Sequence, residues 1–503
     1  MGAMTRFLAE SASRVTVVEG TRSRAEVLQS RVRDLENIAV HIGDFKAFES
    51  DELYDRVVVI GVLEYADVIW GGESPFLDFL TKCRKHLRPE GQLILAIENR
   101  LGFKYFNGAT EDHTAQLFDG IVGYKGARSP RTFSRHELQE LFSNAGFGQT
   151  RFSYPVPDYK MPKGVLQQEL FDLNPSLFKE LSLSTYSRDY SGHRSELVPD
   201  ELFVSAFSDG QLLDQFSNSF LIQASPLGEV AGPRELATLY SSTTSPLTQT
   251  QFTERQGQIE VTKSHIHGPT TSKGLKWIAP PPTIVKGTTP VSFALLRSSY
   301  FNDDNRFDQI WAAYEALITQ SRDGTTVPSN QWDLIPRNII QNDDGLTPID
   351  LEWELNEDLE ISYLIYRGIS SLSPYVKSYL AERFGTLDVF YQASCERLAV
   401  LPELDRWIGF EIQVQVELNG QSGHFEDLKA DFIASKRPQV RITDLGRQLS
   451  FLTREREILL AEQVRLNAEL RTFTDKLARI HRLPGMKYLR KFKRFAAASR
   501  KGR

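Results

Sequence analysis

The chain has 503 residues, of which 41% are hydrophobic and 25% charged, so it can bury full cores and should contain two or more domains. Its formal net charge of -6 argues against a dedicated nucleic-acid binder, because such proteins carry a basic surface, and we expect no nucleic-acid partner. Its cysteines, Cys83 and Cys395, exclude a disulfide framework and a cysteine zinc site and favour a cytoplasmic location. No apolar stretch is long enough to span a bilayer.

Strand and helix patterns alternate through the first half of the chain. The predicted strands are 15–20, 38–42, 55–65, 92–97, 150–154 and 219–223, and the predicted helices are 3–9, 23–35, 76–87 and 137–145. Such alternation is typical of a parallel sheet covered by helices on both faces. Ser134 is expected to cap the last of these helices and Gly146 to end it. Residues 1–225 are therefore predicted to form one α/β domain.

The first ten residues are typical of the second half of a nucleotide-binding loop. Gly2 precedes the helix 3–9, and glycine lets the backbone approach a cofactor closely. The first half of such a loop and the strand that leads into it are not in the sequence. We expect a start farther upstream that supplies them. The alternative is that this copy cannot bind its cofactor normally.

Glycine or acidic residues end three successive predicted strands. Glu19-Gly20 ends the first, Gly43-Asp44-Phe45 the second, and Gly61-Val62-Leu63-Glu64-Tyr65 the third. Ligands of open α/β sheets bind outside the carboxyl ends of the strands, so these positions are candidates for a binding site. The alternative for a lone acidic residue after a strand, such as Glu19, is a helix cap.

These motifs, in this order, resemble those of the class I S-adenosylmethionine-dependent methyltransferases. The resemblance implies a Rossmann-like methyltransferase sheet that lacks its first strand, and S-adenosylmethionine as cofactor. By resemblance, the cofactor-binding residues are Gly2 in the loop, Glu19 and Gly20 at the ribose, Asp44 and Phe45 at the adenine, and Gly61, Leu63 and Glu64 beside the methionine part.

A polar and aromatic segment, 96–108, follows the predicted strand 92–97, where the mouth of an active site should open. Glu111, Asp112 and His113 follow two residues after it. Methyl transfer to oxygen or nitrogen needs in-line positioning and, for some acceptors, a base. These three residues are therefore the catalytic candidates, and the segment 154–160 is expected to wall the acceptor side. The alternative is that the segment is a solvated loop.

A second constellation lies in the middle of the chain. Asp333, Asn338 and Asp350 are spaced around a predicted hairpin and resemble the catalytic loop and metal-binding aspartate of the protein-kinase-like and small-molecule phosphotransferase fold. By resemblance, Asp333 orients an acceptor hydroxyl, Asn338 and Asp350 hold Mg²⁺, and Lys263 binds the phosphates of ATP. No glycine-rich loop precedes Lys263, and its glutamate partner cannot be placed. The alternative is that Asp333 and Asn338 only cap a turn.

This second region, 226–435, is predicted to be an α+β kinase-like domain with an irregular N-terminal part. Residues 240–256 and 264–292 are rich in Ser, Thr, Pro and Gly and are expected to form irregular loops or a small degraded lobe. A helix at 306–320 should pack beneath the Asp333 loop, and helical segments should fill 355–401.

The C-terminal segment has a different pattern. Leucine and other apolar residues recur at three- and four-residue steps over 445–480, which predicts a coiled-coil helix over 436–482 and a homo-oligomer. The alternative is one long helix packed on the kinase-like domain. The tail 483–503 interleaves basic and aromatic residues and is expected to contact the inner face of a membrane. Its alternatives are a solvated tail or an RNA contact.

The order of these regions resembles that of bifunctional methyltransferase/kinase enzymes that terminate bacterial polysaccharide chains. The resemblance implies methyl transfer to a glycan or related small acceptor, coupled to a phosphotransferase domain. The alternative is a catalytically inactive, methyltransferase-like coiled-coil scaffold at the membrane surface.

Overall fold

The computed structural model describes residues 2–433, apart from positions 127, 184–193, 195, 242–245, 273, 286, 288, 343–344 and 420–423. Met1–Arg437 form one compact unit. The predicted coiled coil at 436–482 and the basic tail at 483–503 lie outside the described residues. The oligomer and membrane contacts inferred from them stay predictions.

The strands are numbered along the chain. They are β1 (Val15–Glu19), β2 (Ile38–Ile42), β3 (Tyr54–Ile60), β4 (Leu87–Glu98), β5 (Gln149–Val156), β6 (Gly164–Gln167), β7 (Ser219–Ser225), β8 (Ala237–Tyr240), β9 (Leu247–Arg255), β10 (Gln258–His267), β11 (Thr271–Ser272), β12 (Leu275–Trp277), β13 (Thr283–Ile284), β14 (Thr289–Pro290), β15 (Thr326–Val327), β16 (Ile339–Asn342), β17 (Gly345–Pro348), β18 (Trp353–Leu355) and β19 (Leu359–Glu360).

The α-helices follow the same order. They are α1 (Ala3–Ser11), α2 (Arg22–Arg31), α3 (Ala66–Trp70), α4 (Pro75–Lys85), α5 (Phe103–Phe106), α6 (Asp119–Val122), α7 (Arg135–Asn144), α8 (Gln168–Leu173), α9 (Pro175–Leu183), α10 (Asp200–Asp209), α11 (Leu213–Phe216), α12 (Val291–Tyr300), α13 (Asp304–Ile318), α14 (Ile361–Ser370), α15 (Pro374–Phe384), α16 (Leu387–Leu398), α17 (Leu404–Asn419) and α18 (Phe425–Ile433). Short 3₁₀ turns lie at Leu63–Tyr65, Ser329–Gln331 and Pro336–Asn338.

Local signals explain why several of these elements begin and end where they do. The hydroxyl of Ser134 accepts from the backbone N–H of Glu137, and the Glu137 carboxylate accepts from the backbone N–H of Ser134, so α7 begins with a capping box. Gly146 follows α7 at φ 83°, a conformation that favours glycine. Both predictions for this helix are confirmed.

The main sheet runs in the order β13-β10-β9-β8-β6-β5-β7-β4-β3. Strands β3 and β4 are parallel, whereas β7 runs antiparallel to both of its neighbours, β4 and β5. The sheet is therefore mixed, whereas the sequence pattern predicts a parallel sheet. Because β4 and β5 both oppose β7, the carboxyl ends of β3, β4 and β5 lie at the same edge of the sheet.

Strands β1 and β2 form a separate parallel pair, with Val15 opposite Ile38 and Glu19 opposite Ile42. Within the described residues, no strand hydrogen-bonds to both this pair and β3. The Phe45 ring connects the pair to the rest of the domain, because it lies 5.3 Å from the ring of Phe79 on α4.

The prediction of irregular structure for 240–256 is wrong, because this range contains β9. Strand β10 likewise extends the sheet to His267, inside the second range predicted as loops. The loop prediction counts threonine among the loop-forming residues, but the β-branched side chain of threonine favours strands. The two strands meet in a two-residue turn, Gln256-Gly257, with both φ angles positive.

Buried side chains form two hydrophobic cores. One packs against the main sheet and draws on residues 59–259, and the other is built by the helices and short strands of 275–432. Helix α13 belongs to the second core, and the hydroxyl of Tyr314 donates to the backbone oxygen of Leu334 at 3.1 Å. The prediction that this helix packs beneath the Asp333 loop is confirmed.

Candidate active site

The first part of the site lies at the start of α1 and the carboxyl end of β1. Gly2 has φ 78°, and a Cβ atom there would lie 3.4 Å from the Cα of Leu28, so this position favours glycine. Glu19 ends β1, and its Oε1 accepts a hydrogen bond from the backbone N–H of Thr21 at 3.2 Å. Gly20 follows and is exposed. A carboxylate at a strand end and a glycine before a helix are thus both present.

The second part follows β2. Asp44 is exposed, and its Oδ1 accepts from the backbone N–H of Lys46 at 2.9 Å. The Phe45 ring packs against Trp70 and Phe79, with Lys82 Nζ 5.7 Å from its centroid. The structure thus places Phe45 on the face of α4, and its proposed role beside an adenine ring stays a prediction.

The third part follows β3. Gly61 has φ 62°, and a Cβ atom there would lie 2.7 Å from the Tyr159 hydroxyl, so the close approach requires glycine. Leu63 and Glu64 come next, and each is only 1% exposed. A buried carboxylate at this position needs partners, because burial disfavours its charge.

Asp112 is held between two lysines. The ammonium of Lys104 donates to both of its carboxylate oxygens, at 2.9 and 3.0 Å, and Lys160 Nζ donates to Oδ2 at 3.0 Å. Burial alone would raise the pKa of Asp112, but the two ammonium groups lower it below its ordinary value. Both oxygens are therefore occupied, which suits a positioning residue better than a base.

His113 lies between two glutamates. Its Nδ1 donates to Glu111 Oε1 at 3.0 Å, and its Nε2 lies 3.6 Å from Glu64 Oε1. The Glu111 carboxylate also accepts from the backbone N–H groups of His113 and Thr114, both at 2.7 Å. Burial alone would lower the pKa of His113, but these carboxylates and Glu98 raise it to about 10.

Glu98 completes the network at the end of β4, where it is fully buried. It forms an ion pair with Lys160 and accepts from the Tyr159 hydroxyl at 3.3 Å. Burial raises the pKa of Glu98, although Lys160 acts in the opposite direction. Tyr159 and Lys160 reach Glu98 because they follow β5, whose carboxyl end lies at the same edge of the sheet as that of β4.

The structure therefore brings the three catalytic candidates, Glu111, Asp112 and His113, into one buried network with Glu64. The sequence placed Glu98 and Lys104 in the segment 96–108 at the mouth of the site, and Tyr159 and Lys160 in the segment 154–160 on its acceptor side, but it gave none of the four an individual role. One signal was available, since Glu98 is the last residue of a predicted buried strand and such ends face the ligand in open sheets.

A second cluster forms around Lys263 on β10. Its ammonium lies 2.9 Å from Asp350 Oδ1 and 2.7 Å from Glu352 Oε1. Burial alone would lower the pKa of Lys263, and the two carboxylates raise it above its ordinary value. Asp350 has φ 61°, which is uncommon outside glycine and is often found at functional sites.

Asp333 and Asn338 lie on the loop beside this cluster. The Asn338 side chain donates to the backbone oxygen of Asp333 at 3.0 Å, and the N–H of Ile349 donates to the backbone oxygen of Asn338 at 2.7 Å. Asn338 is therefore close in space to Asp350. Asp333 Oδ1 accepts from the guanidinium of Arg367 at 2.9 Å, a partner that sequence reasoning did not anticipate.

The order of β3, β4, β7 and β5, with candidate binding residues at the carboxyl ends of the strands, fits a Rossmann-like fold. Among the described residues, no helix combines the length and apolar character that crossing a membrane requires.

Solved structures that are similar to parts of this chain include methyltransferases. The N-methyltransferase NodS from Bradyrhizobium japonicum WM9, in complex with S-adenosyl-L-homocysteine, is 26% identical over 19% of this chain and 46% of its own, with a TM-score of 0.18. A possible histamine N-methyltransferase from Thermotoga maritima is 16% identical over 45% of this chain and 79% of its own, with a TM-score of 0.26. The chain thus covers less than half the length of NodS. No family model and no curated protein matches the chain.

Proposed function

We propose that the chain binds S-adenosylmethionine along the carboxyl ends of β1, β2 and β3 and transfers its methyl group to a small acceptor beside β4. The observation that carries this proposal is that Gly2 precedes α1, Glu19 and Asp44 lie at the ends of the paired strands β1 and β2, and Gly61 follows β3. The residues present fit the cofactor, because Glu19 offers a carboxylate for hydroxyl groups and a Cβ atom at the neighbouring Gly20 would meet nothing within 4 Å.

The buried network beyond β3 would serve the acceptor. When bound, S-adenosylmethionine would supply the methyl group from its sulfonium and would become a neutral thioether, and the proton of the acceptor oxygen or nitrogen would pass to a base. Glu98 is the best base, because burial raises its pKa toward the working range. His113 is protonated at neutral pH and would orient the acceptor by donating a hydrogen bond, with Glu111 holding its ring.

The acceptor that we propose is a glycan or related small hydroxyl compound of bacterial surface polysaccharides. This choice is supported by the order of the regions along the chain, and it is an analogy. The competing proposal is an inactive scaffold, and the two differ in whether the chain binds S-adenosylmethionine.

Glu19→Ala is expected to weaken S-adenosylmethionine binding by about 1.5–3 kcal/mol, which is about ten- to a hundredfold, because hydrogen bonds to a charged group are lost. The measurement is calorimetric titration of S-adenosylmethionine into wild type and variant, with circular dichroism to confirm folding. The matched control is Glu36→Ala, which removes an exposed carboxylate from the loop before β2. Absence of binding to wild type, or equal binding by Glu19→Ala, would contradict the proposal.

A second candidate function is nucleotide-dependent phosphate transfer at Lys263. The specific observation in its favour is the 2.9 Å contact of Lys263 with Asp350, because this pairs the proposed phosphate-binding lysine with a proposed metal ligand from a distant part of the chain. Asp333 would orient the acceptor hydroxyl, and Asn338 and Asp350 would hold Mg²⁺ with ATP as donor.

Asp350→Asn is expected to abolish Mg²⁺-dependent binding of a fluorescent ATP analogue, because the charge on the metal ligand is lost. Asparagine tolerates the positive φ of this position, and Glu352 still pairs Lys263 at 2.7 Å, so the fold should persist. Asp358→Asn is the control, since Asp358 is exposed. Unchanged nucleotide binding by Asp350→Asn would mean that the phosphotransferase proposal is wrong.

A further inference from the structure

Three potential metal ligands converge within the buried network. Glu64 follows β3, Glu98 ends β4, and His113 lies in the loop after α5. One ligand atom from each residue lies within 4.8 Å of those of the other two. Glu98 is 0% exposed and the His113 side chain only 6%, so these are not the exposed acidic groups that commonly cluster on protein surfaces.

The orientation of the His113 ring suits a metal ligand. Its Nδ1 is engaged by Glu111 Oε1 at 3.0 Å, so the other nitrogen, Nε2, faces Glu64. The distance from Nε2 to Glu64 Oε1 is 3.6 Å, longer than a hydrogen bond. A carboxylate that fixes one ring nitrogen while the other faces a cluster of oxygen ligands is a common arrangement around protein-bound metals.

Glu64 supplies an independent observation. Its Oε2 is buried and has no hydrogen-bond partner among the described residues, although Glu64 is 1% exposed. An unpartnered carboxylate oxygen is costly in a protein interior. A bound cation at the cluster would supply the missing partner.

The net charge of the network also favours a bound cation. Its carboxylates belong to Glu64, Glu98, Glu111 and Asp112, and its ammonium groups to Lys104 and Lys160. His113 gives up its Nε2 proton when it binds a metal, and the described residues of the network then carry an excess of two negative charges. Buried charges are stable when they are compensated, and a divalent cation matches this excess.

We propose that Glu64, Glu98 and His113 bind a divalent cation, with Mn²⁺ as the ion whose preferences fit best. Carboxylates suit Mg²⁺ and Mn²⁺, whereas imidazole suits the transition metals, so Mn²⁺ accommodates both ligand types. Lys160 forms an ion pair with Glu98, but the Lys160 side chain is 31% exposed and can turn toward solvent when the ion binds. Asp112 would keep its contacts with Lys104.

Three protein ligands leave positions of the ion open to water or to an acceptor oxygen. An ion here would take over the roles given above to Glu98 and His113, because it would orient a hydroxyl acceptor beside β4 and lower the pKa of that hydroxyl. This last step rests on the proposed methyl transfer, whereas cation binding itself does not.

The test is titration of Mn²⁺ into the metal-free full chain, followed by the loss of the electron paramagnetic resonance signal of free Mn²⁺. We expect one bound ion per chain. Glu64→Gln keeps the shape of the side chain and is expected to weaken binding at least about tenfold, since one charged ligand is lost. The matched control is Glu73→Gln, because Glu73 is exposed.

Lys160→Gln guards against a misfolded variant as the explanation. It removes the ammonium that competes for Glu98, so Mn²⁺ should bind about tenfold more tightly, a gain that unfolding cannot produce. No binding to wild type up to about 1 mM Mn²⁺ overturns the proposal. Unchanged affinity in Glu64→Gln also overturns it, because the ion would then lie elsewhere. The Mn²⁺ titration contains no S-adenosylmethionine, so it tests the cation site by itself. If the chain binds Mn²⁺ but fails to bind S-adenosylmethionine in the calorimetric titration, only the methyltransferase proposal is refuted.

Discussion

Replacing Arg367 with methionine is expected to lower the free energy of unfolding by about 3–5 kcal/mol, because a buried cation is removed from between two carboxylates. Arg367 is 7% exposed. One guanidinium nitrogen donates to both oxygens of Glu411 at 2.8 and 2.9 Å, and the other donates to Asp333 at 2.9 Å. The guanidinium also stacks 3.6 Å from the centroid of the Trp332 ring. Methionine fills most of the volume but leaves Glu411 and Asp333 uncompensated.

The matched control for this prediction is Arg383→Met. Arg383 also makes two hydrogen bonds to one carboxylate, at 2.7 and 2.6 Å, but its partner Asp308 is exposed at the surface. Surface pairs of this kind contribute about 1 kcal/mol or less. Urea unfolding followed by tryptophan fluorescence measures both variants. Equal losses in Arg383→Met and Arg367→Met would contradict the assignment of Arg367 as the buried centre of this region.

A loss of similar size, about 3–5 kcal/mol, is expected for Lys104→Met in the first core. The Lys104 side chain is fully buried and donates to both oxygens of Asp112, while its backbone N–H donates to Asn218 Oδ1 at 3.1 Å. The backbone contact survives the substitution. Asp112 then keeps only Lys160, which it shares with Glu98, so the excess of negative charge in the buried network grows.

Lys125→Met is the control for Lys104→Met, because Lys125 is exposed on the neighbouring loop. Its expected effect on the free energy of unfolding is within about 0.5 kcal/mol. Thermal unfolding by calorimetry, with both variants at the same pH, separates the two cases. A Lys104→Met variant as stable as wild type would show that the network does not depend on this ammonium group.

Local patterns allowed much of the first half of the fold to be predicted. The periodicity of apolar residues predicts the alternation of strands and helices from β1 to β5. The capping box at Ser134 could also be predicted, because it joins residues only three positions apart. The placement of Glu19 and Asp44 at strand ends follows from the same local information, since a residue after a predicted strand must lie at the edge of the sheet.

Contacts between distant residues could not be predicted in the same way. Lys160 reaches Glu98 because β7 lies between β4 and β5 and runs antiparallel to both, so the ends of β4 and β5 lie at the same edge. No local sequence pattern predicts this position of β7. Lys263 meets Asp350 for a similar reason, since the contact depends on how β10 packs beside the loop after β17. The packing of distant strands and loops determines which side chains meet. Residue type alone indicates only which positions are candidates for a binding or catalytic site.

The central claim is that three strand ends form one S-adenosylmethionine site. Hydrogen–deuterium exchange with and without S-adenosyl-L-homocysteine, the reaction product, tests it most directly. We predict slower backbone exchange at 19–22, 43–47 and 61–66 together, with no change at the exposed turn 255–258 between β9 and β10. Unchanged exchange in all three segments at saturating ligand, or protection confined to other parts of the chain, would contradict the claim.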